Sequence, residues 1–116
     1  MKILTKILLF FAAFSLFSTT GYSEEASEYQ VNAISSGNLT EAEQGLLAVL
    51  EKDPDDPYAL LNLAYVYQKA GDDARAQDIY NRILTLKTNP YAELASGKPE
   101  RVKTIARRGI AQVATE

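Results

Sequence analysis

In the middle of the chain, apolar residues recur every three or four positions, in two stretches separated by the letters AGDD. The first stretch predicts a helix that begins at Asp56-Pro57, because aspartate caps free backbone amides and proline is tolerated in a first turn. Gly71 ends this helix, since glycine adopts the left-handed conformation at low cost. The second stretch predicts a helix capped by Asp72 or Asp73 and closed by Asn89-Pro90. The inward faces are Leu60, Leu63, Ala64, Tyr67 and Ala70 in the first helix, and Ala76, Ile79, Tyr80, Ile83 and Leu84 in the second.

The same pattern occurs once upstream, at a fixed distance of 34 residues. The matching pairs are Gly37 with Gly71, Asn38 with Asp72, Ala42 with Ala76, Val49 with Ile83, and Leu50 with Leu84. A period of this length is typical of repeats built from two short helices.

The upstream copy is weaker. Its first helix is predicted over 24–35, with Ala26, Tyr29, Ala33 and Ile34 turned inward. Its second helix begins with the capping-box spacing Thr40 to Glu43 and buries Ala42, Leu46, Val49 and Leu50. The proline-bearing segment 53–57 then forms the turn into the next unit.

The segment 57–90 resembles a tetratricopeptide repeat (TPR). The resemblance rests on Leu63, Ala64, Tyr67, Gly71, Ala76 and Tyr80, and it extends to 24–56 as a degenerate first repeat. Leu60 and Ile83 depart from the family pattern, which has an aromatic and a small residue there, and Pro90 comes about two positions late. The resemblance implies an all-α fold: a short helical-hairpin solenoid of about two repeats with a C-terminal capping helix.

The C-terminal part breaks the period. The segment 91–99 has no helical pattern and is predicted to be a linker, while 100–116 is predicted to be the capping helix. The apolar stripe of that helix is Val102, Ile105, Ala106, Gly109, Ile110 and Val113. Because two repeats leave apolar faces uncovered, covering the last repeat is its expected role. Docking to another protein and lying on an anionic membrane are the alternatives.

The N-terminus has the three-part layout of a secretory signal peptide over 1–23: two lysines, an apolar run, then small and polar residues. The apolar run is shorter than the roughly 20 residues of a membrane span. We therefore expect a cleaved signal and an exported protein of the bacterial periplasm, with an uncleaved membrane anchor as the alternative.

The residue inventory argues against an enzyme. The chain has no histidine and no cysteine, which removes the commonest general base, metal ligand and thiol nucleophile. The densest carboxylate group, Asp53, Asp55 and Asp56, lies in a proline-bounded turn and lacks the spacing of a calcium loop. Glycine-rich phosphate loops are absent from the sequence, and its net charge of -3 disfavours nucleic-acid binding. We expect no catalytic residue, cofactor, metal or small-molecule substrate.

One further face of the helix after Pro57 carries Tyr58, Leu61, Tyr65, Gln68 and Lys69. In the family that this segment resembles, the corresponding side of each first helix lines a concave groove. The resemblance therefore implies that these five residues line a groove for a protein or peptide partner. The alternative is that they pack on a neighbouring helix or on the C-terminal helix.

The leading functional hypothesis is an exported TPR-like adaptor that binds a protein partner in the bacterial envelope. Charge supports an alternative, because 24–56 carries nine acidic residues and one basic, whereas 98–116 carries five basic and two acidic. Chains could then stack head to tail as a homo-oligomer, acidic end on basic end. A protein held in the membrane by its uncleaved N-terminus is the other alternative.

Overall fold

The computed structural model describes residues 29–94 and 96–115. Within these residues the chain folds into five helices and one β-hairpin. In chain order they are α1 (Val31–Ser36), α2 (Leu39–Lys52), α3 (Pro57–Lys69), α4 (Asp73–Leu84), β1 (Tyr91–Glu93), β2 (Pro99–Arg101) and α5 (Val102–Ala114). Each helix packs on the next, and α5 also contacts α3. This is the expected arrangement of helical hairpins followed by a C-terminal helix.

The 34-residue period is visible in the backbone hydrogen bonds. Gly37 and Gly71 end α1 and α3 with the same left-handed φ of 85°. In both turns the next residue, Asn38 or Asp72, donates its backbone N–H to the carbonyl five positions earlier, at 2.9 Å. The side chains of Asn38 and Asp72 then cap α2 and α4 by accepting from the amide three residues on, at 3.3 and 3.2 Å. The predicted repeat is therefore confirmed, including its turns.

The predicted capping box at Thr40 to Glu43 is wrong by two positions. The cap of α2 is Asn38, whose Nδ2 donates to Glu41 Oε1 at 2.7 Å while Glu41 N donates to Asn38 Oδ1. Because Gly37 has already ended α1, the next helix begins immediately, and Thr40 lies inside it.

Within the described residues, the helix predicted over 24–35 is interrupted by a turn at Tyr29 and Gln30. Residues 24–28 lie outside the described part of the chain, and α1 begins only at Val31, after Gln30 in a left-handed conformation with φ 58°. Tyr29 is held by two buried contacts: its hydroxyl donates to Asp56 Oδ2 at 2.7 Å, and its carbonyl accepts from Asn62 Nδ2 at 3.0 Å. These contacts fix the backbone at Tyr29 in a turn.

Helix α3 is the centre of the molecule. Every residue from 59 to 64 is buried, because α1 and α2 cover one side of α3 while α4, α5 and the hairpin cover another. One apolar cluster joins α3 to α4, α5 and Ala92 of β1, and the other joins α3 to α1 and α2. The predicted inward residues of α4 and α5 are buried or half-buried in the first cluster.

The segment 91–99, predicted to be a linker, forms most of the β-hairpin, and the hairpin continues to Arg101, inside the predicted capping helix. Strands β1 and β2 pair antiparallel, with Tyr91 opposite Arg101 and Glu93 opposite Pro99. As a result α5 begins at Val102, two residues after the predicted start, and the backbone N–H of Val102 donates to the carbonyl of Pro90 at 2.9 Å. Strands of three residues are too short to show an alternating pattern, so the sequence carried no signal for them.

Among the described residues, no helix combines the length and the apolar character that a membrane span requires. The predicted signal peptide, 1–23, lies outside the described residues.

Candidate binding groove

The C-terminal halves of α3 and α5 converge and leave an open depression of about 530 Å³ between them. Its lining residues come from the last turns of both helices: Tyr65, Gln68 and Lys69 from α3, and Gln112 and Thr115 from the end of α5. We call this depression the α3–α5 groove. Three of the five residues predicted to line a groove therefore lie together in one.

Leu61 does not line the groove, so the prediction that it would do so is wrong. Its side chain is only 1% exposed and belongs to the apolar cluster of α3, α4 and α5. The helical spacing places Leu61 on the same stripe as Tyr65 and Gln68, but the hairpin and α5 cover that stripe at this level. A periodic pattern shows which residues share a helix face. It cannot show how much of that face remains exposed to solvent once other elements pack against the helix.

Tyr58 also lies apart from the groove, two turns away at the start of α3. It is half-buried, its ring meets the ring of Tyr29 edge to face with centroids 5.9 Å apart, and its hydroxyl donates to the carbonyl of Tyr91 at 3.0 Å. Tyr58 therefore ties the start of α3 to the strand that follows α4.

A chain of hydrogen bonds joins the two walls of the groove to the core. The hydroxyl of Tyr80 in α4 donates to Gln68 Oε1 at 2.9 Å. Gln68 Nε2 in turn donates to Gln112 Oε1 of α5 at 3.3 Å. Because both ends of the Gln68 amide are engaged, its orientation is set by the fold, and the groove has a polar floor with a defined geometry.

Tyr80 is buried beneath this floor. Burial raises the pKa of its hydroxyl, with a smaller contribution from Tyr65, so the hydroxyl remains a protonated donor over the ordinary pH range. The ring of Tyr80 lies against Gly109 of α5, where a side-chain Cβ would overlap it. The glycine thus allows α5 to approach α4 closely enough to form one wall of the groove.

One side of the groove carries a positive charge, from Lys69. None of its five lining residues is acidic, and Lys69 is its one charged member. Lys69 is exposed, and its Nζ lies 5.9 Å from the centroid of the Tyr65 ring, a cation–π distance. It also lies in the last turn of α3, where the helix dipole stabilises a positive charge.

Gln112 and Thr115 are the groove residues that the sequence reasoning missed. They lie more than forty residues from the α3 wall, and nothing in a helical pattern indicates which helices meet in space. The available signal was indirect: the apolar stripe of α5 included Gly109, and a glycine within a helix often marks a close approach of another element.

Within residues 29–94 and 96–115, no group of three or more acidic, histidine or cysteine side chains is arranged to hold a metal ion. The side chains that line the groove are a tyrosine, a lysine, two amides and a hydroxyl, which suit molecular recognition through stacking, ion pairing and hydrogen bonding.

Comparison with protein families gives a match to the tetratricopeptide repeat over residues 33–98, more than half of the chain. The chain belongs to the tetratricopeptide repeat family. The match spans most of α1, all of α2, α3, α4 and β1, and ends just before β2, and α5 lies beyond its end. Tetratricopeptide repeats are protein–protein interaction modules and are typically not catalytic. Comparison with curated proteins and with solved structures gave no match.

Proposed function

We propose that this TPR protein is an exported adaptor that binds a segment of a partner protein in the α3–α5 groove, without catalysis of its own. The observation that carries the proposal is the convergence of Tyr65, Gln68 and Lys69 with Gln112 and Thr115 around one open depression. Family membership supports the general role of an interaction module, and the α3–α5 groove is the proposed binding site.

The lining residues suit the binding of a polypeptide. The ring of Tyr65 offers an aromatic surface that buries area at a low entropy cost. The amides of Gln68 and Gln112 offer polar atoms for a partner's backbone, and the fold already orients Gln68. Lys69 adds a charge that selects partners with an acidic group beside the docked segment.

The proposed location is the bacterial envelope, supported by the signal-peptide pattern of 1–23. Its test is mass spectrometry of the N-terminus of the protein recovered from envelope fractions. A chain that starts near Glu24 supports export with cleavage. Recovery of the intact N-terminus in the membrane fraction supports the anchored alternative instead.

The binding proposal is tested by affinity capture from envelope extract with three forms of the protein. These are the wild type, a groove variant with Tyr65→Ala and Lys69→Ala, and a control variant with Gln77→Ala and Asn81→Ala on the exposed face of α4. We expect the wild type and the control to retain the same partner and the groove variant to lose it at least about tenfold, which corresponds to about 1.4 kcal/mol.

Circular dichroism and thermal melting of all three forms separate loss of binding from loss of fold. If the groove variant is folded and still captures the partner as well as the wild type does, the partner binds elsewhere and the groove assignment is wrong. If the groove variant is unfolded, Tyr65 and Lys69 are structural and the assignment also fails.

A further inference from the structure

We infer that a second copy of this chain docks on the outward face of α5 through the outward face of α2, so that copies associate head to tail. The two faces lie on different helices from opposite parts of the repeat array: α2 packs on α1 and α3, and α5 packs on α4 and α3. The groove is lined by a neighbouring side of α5, through Gln112 and Thr115, so neither face coincides with it.

The outward face of α2 combines an exposed apolar residue with negative charge. Leu47 is 43% exposed, and among the described residues only Tyr91 is another large apolar side chain of that kind. Glu51 lies one turn further along the same face and is exposed. The turn that follows α2 adds the exposed Asp53, whereas Asp55 is paired with Arg82 at 3.7 Å. Glu51 and Asp53 therefore supply the negative charge at this end of the face, beside the exposed Lys52.

The outward face of α5 has the complementary character. This exposed face carries three residues at helical spacing: Arg107, Ala111 and Ala114. Because alanine side chains are short, they leave a shallow apolar surface beside the arginine. Within the described residues, the guanidinium of Arg107 makes no ion pair, whereas Arg108 is engaged by Glu100 at 2.6 Å. Leu47 can pack over the alanines while Glu51 meets Arg107.

A surface in which unlike faces meet is a heterologous contact, which continues from copy to copy. One helix face from each copy buries less than about 1,200 Å², an area typical of weak, transient contacts. The association is therefore expected to be weak and dependent on concentration and salt.

The experiment is sedimentation velocity on the purified protein in its naturally processed form, from about 10 μM to about 1 mM. The salt concentrations are about 20 mM and about 500 mM NaCl, chosen so that the screening length falls from roughly 20 Å to less than 5 Å. We expect a concentration-dependent rise in mass at low salt and at least a tenfold weaker association at high salt.

Two charge-reversal variants test whether the contact is formed by the outward faces of α2 and α5. Glu51→Lys and Arg107→Glu each place like charges at the contact and should weaken self-association about tenfold or more. Neither side chain is bonded to another described residue, so neither change should unfold the protein. Mixed together, the two variants should associate again, because the unchanged Arg107 of one meets the unchanged Glu51 of the other. Asp78→Lys on α4 is the control for Glu51→Lys, since it makes the same change in net charge at an exposed site outside both faces.

A protein that stays monomeric under all these conditions overturns the inference. So does an association that both reversals leave unchanged, or one that Asp78→Lys weakens as strongly as Glu51→Lys does. Association restored in the mixture, and absent from each variant alone, supports the contact between the two faces.

Discussion

Gly109 and Tyr80 form the contact that sets the distance between α4 and α5. In an exposed helix, replacing glycine by alanine raises stability by about 1 kcal/mol. At Gly109 the added methyl group would overlap the Tyr80 ring, so we expect Gly109→Ala to lower the free energy of unfolding by about 1–3 kcal/mol. Urea denaturation followed by circular dichroism measures the change.

The same substitution in a Tyr80→Ala background provides the control, because the ring that causes the overlap is gone. There Gly109→Ala should no longer destabilise the protein. A stabilising effect of Gly109→Ala in the otherwise unchanged protein would show that α5 does not approach Tyr80 so closely.

Asp56 caps a helix, as Asp72 does, and has a second role that Asp72 does not share. It caps α3 by accepting from the amides of Tyr58 and Ala59, and it also accepts from the buried hydroxyl of Tyr29. Loss of a cap alone costs about 1 kcal/mol, and loss of a buried hydrogen bond to a charged carboxylate costs about 1.5–3 kcal/mol more. We therefore expect Asp56→Ala to be clearly more destabilising than Asp72→Ala when both are compared by urea denaturation. Equal effects would mean that the hydroxyl of Tyr29 contributes nothing.

Because the hydroxyl of Tyr80 is buried, we expect the protein to lose stability at alkaline pH. Burial raises the pKa of Tyr80 in the folded protein above 10.0, its ordinary value, which the unfolded chain retains. Below that value both states keep the proton, so the contribution of Tyr80 to stability is fully present. Above it the unfolded state loses the proton first, and the free energy of unfolding falls as the pH rises.

The measurement is the difference in free energy of unfolding between the wild type and Tyr80→Phe, at about pH 8 and about pH 11. We expect the advantage of the wild type to shrink or reverse at the higher pH. The raised pKa of Tyr67, also caused first by burial, is present in both proteins and cancels. A difference that does not change with pH would contradict a buried, neutral Tyr80.

At the scale of elements, α5 completes the core. Ile105 is buried against α3 and α4, whereas its neighbour Thr104 is exposed. We expect Ile105→Ala to cost about 2–5 kcal/mol, as for other buried isoleucines, and Thr104→Ala to change stability by less than about 0.5 kcal/mol. Thermal melting of both variants measures the difference. Similar effects of the two substitutions would show that α5 only lies on the surface of the core and is not part of it.

The elements that the sequence predicted well are those with strong local signals. Gly71 and Asp72 mark a helix end and the next helix start through their own backbone and side-chain chemistry, and the 34-residue period repeats those signals at Gly37 and Asn38. The hairpin was missed because its strands are held in place by α3 and α5 rather than by their own pattern. The groove was only partly predicted for a related reason: periodicity places Tyr65, Gln68 and Leu61 on one stripe, but tertiary packing decides that Leu61 is covered and that Gln112 faces Gln68.

At the scale of the whole molecule, two kinds of surface lie on one small solenoid. The groove is concave and polar, and its geometry depends on the hydrogen-bond chain from Tyr80 through Gln68 to Gln112. The outward faces of α2 and α5 carry charges of opposite sign, at Glu51 and Arg107. The α5 residues of the proposed contact are neighbours of the groove residues Gln112 and Thr115. An assembly of several copies in which the groove stays open would present several grooves to a partner with repeated binding segments.

The central claim is that a partner protein occupies the α3–α5 groove. Its most direct test places a photo-crosslinking amino acid at position 112 in the groove and, in a separate protein, at position 81 on the exposed face of α4. Both are produced in cells that carry the natural partner, irradiated, and their adducts identified by mass spectrometry. The account predicts a single adduct with another envelope protein from position 112 and none from position 81. Adducts from position 81 alone, or none from position 112 when the protein is folded and exported, would contradict it.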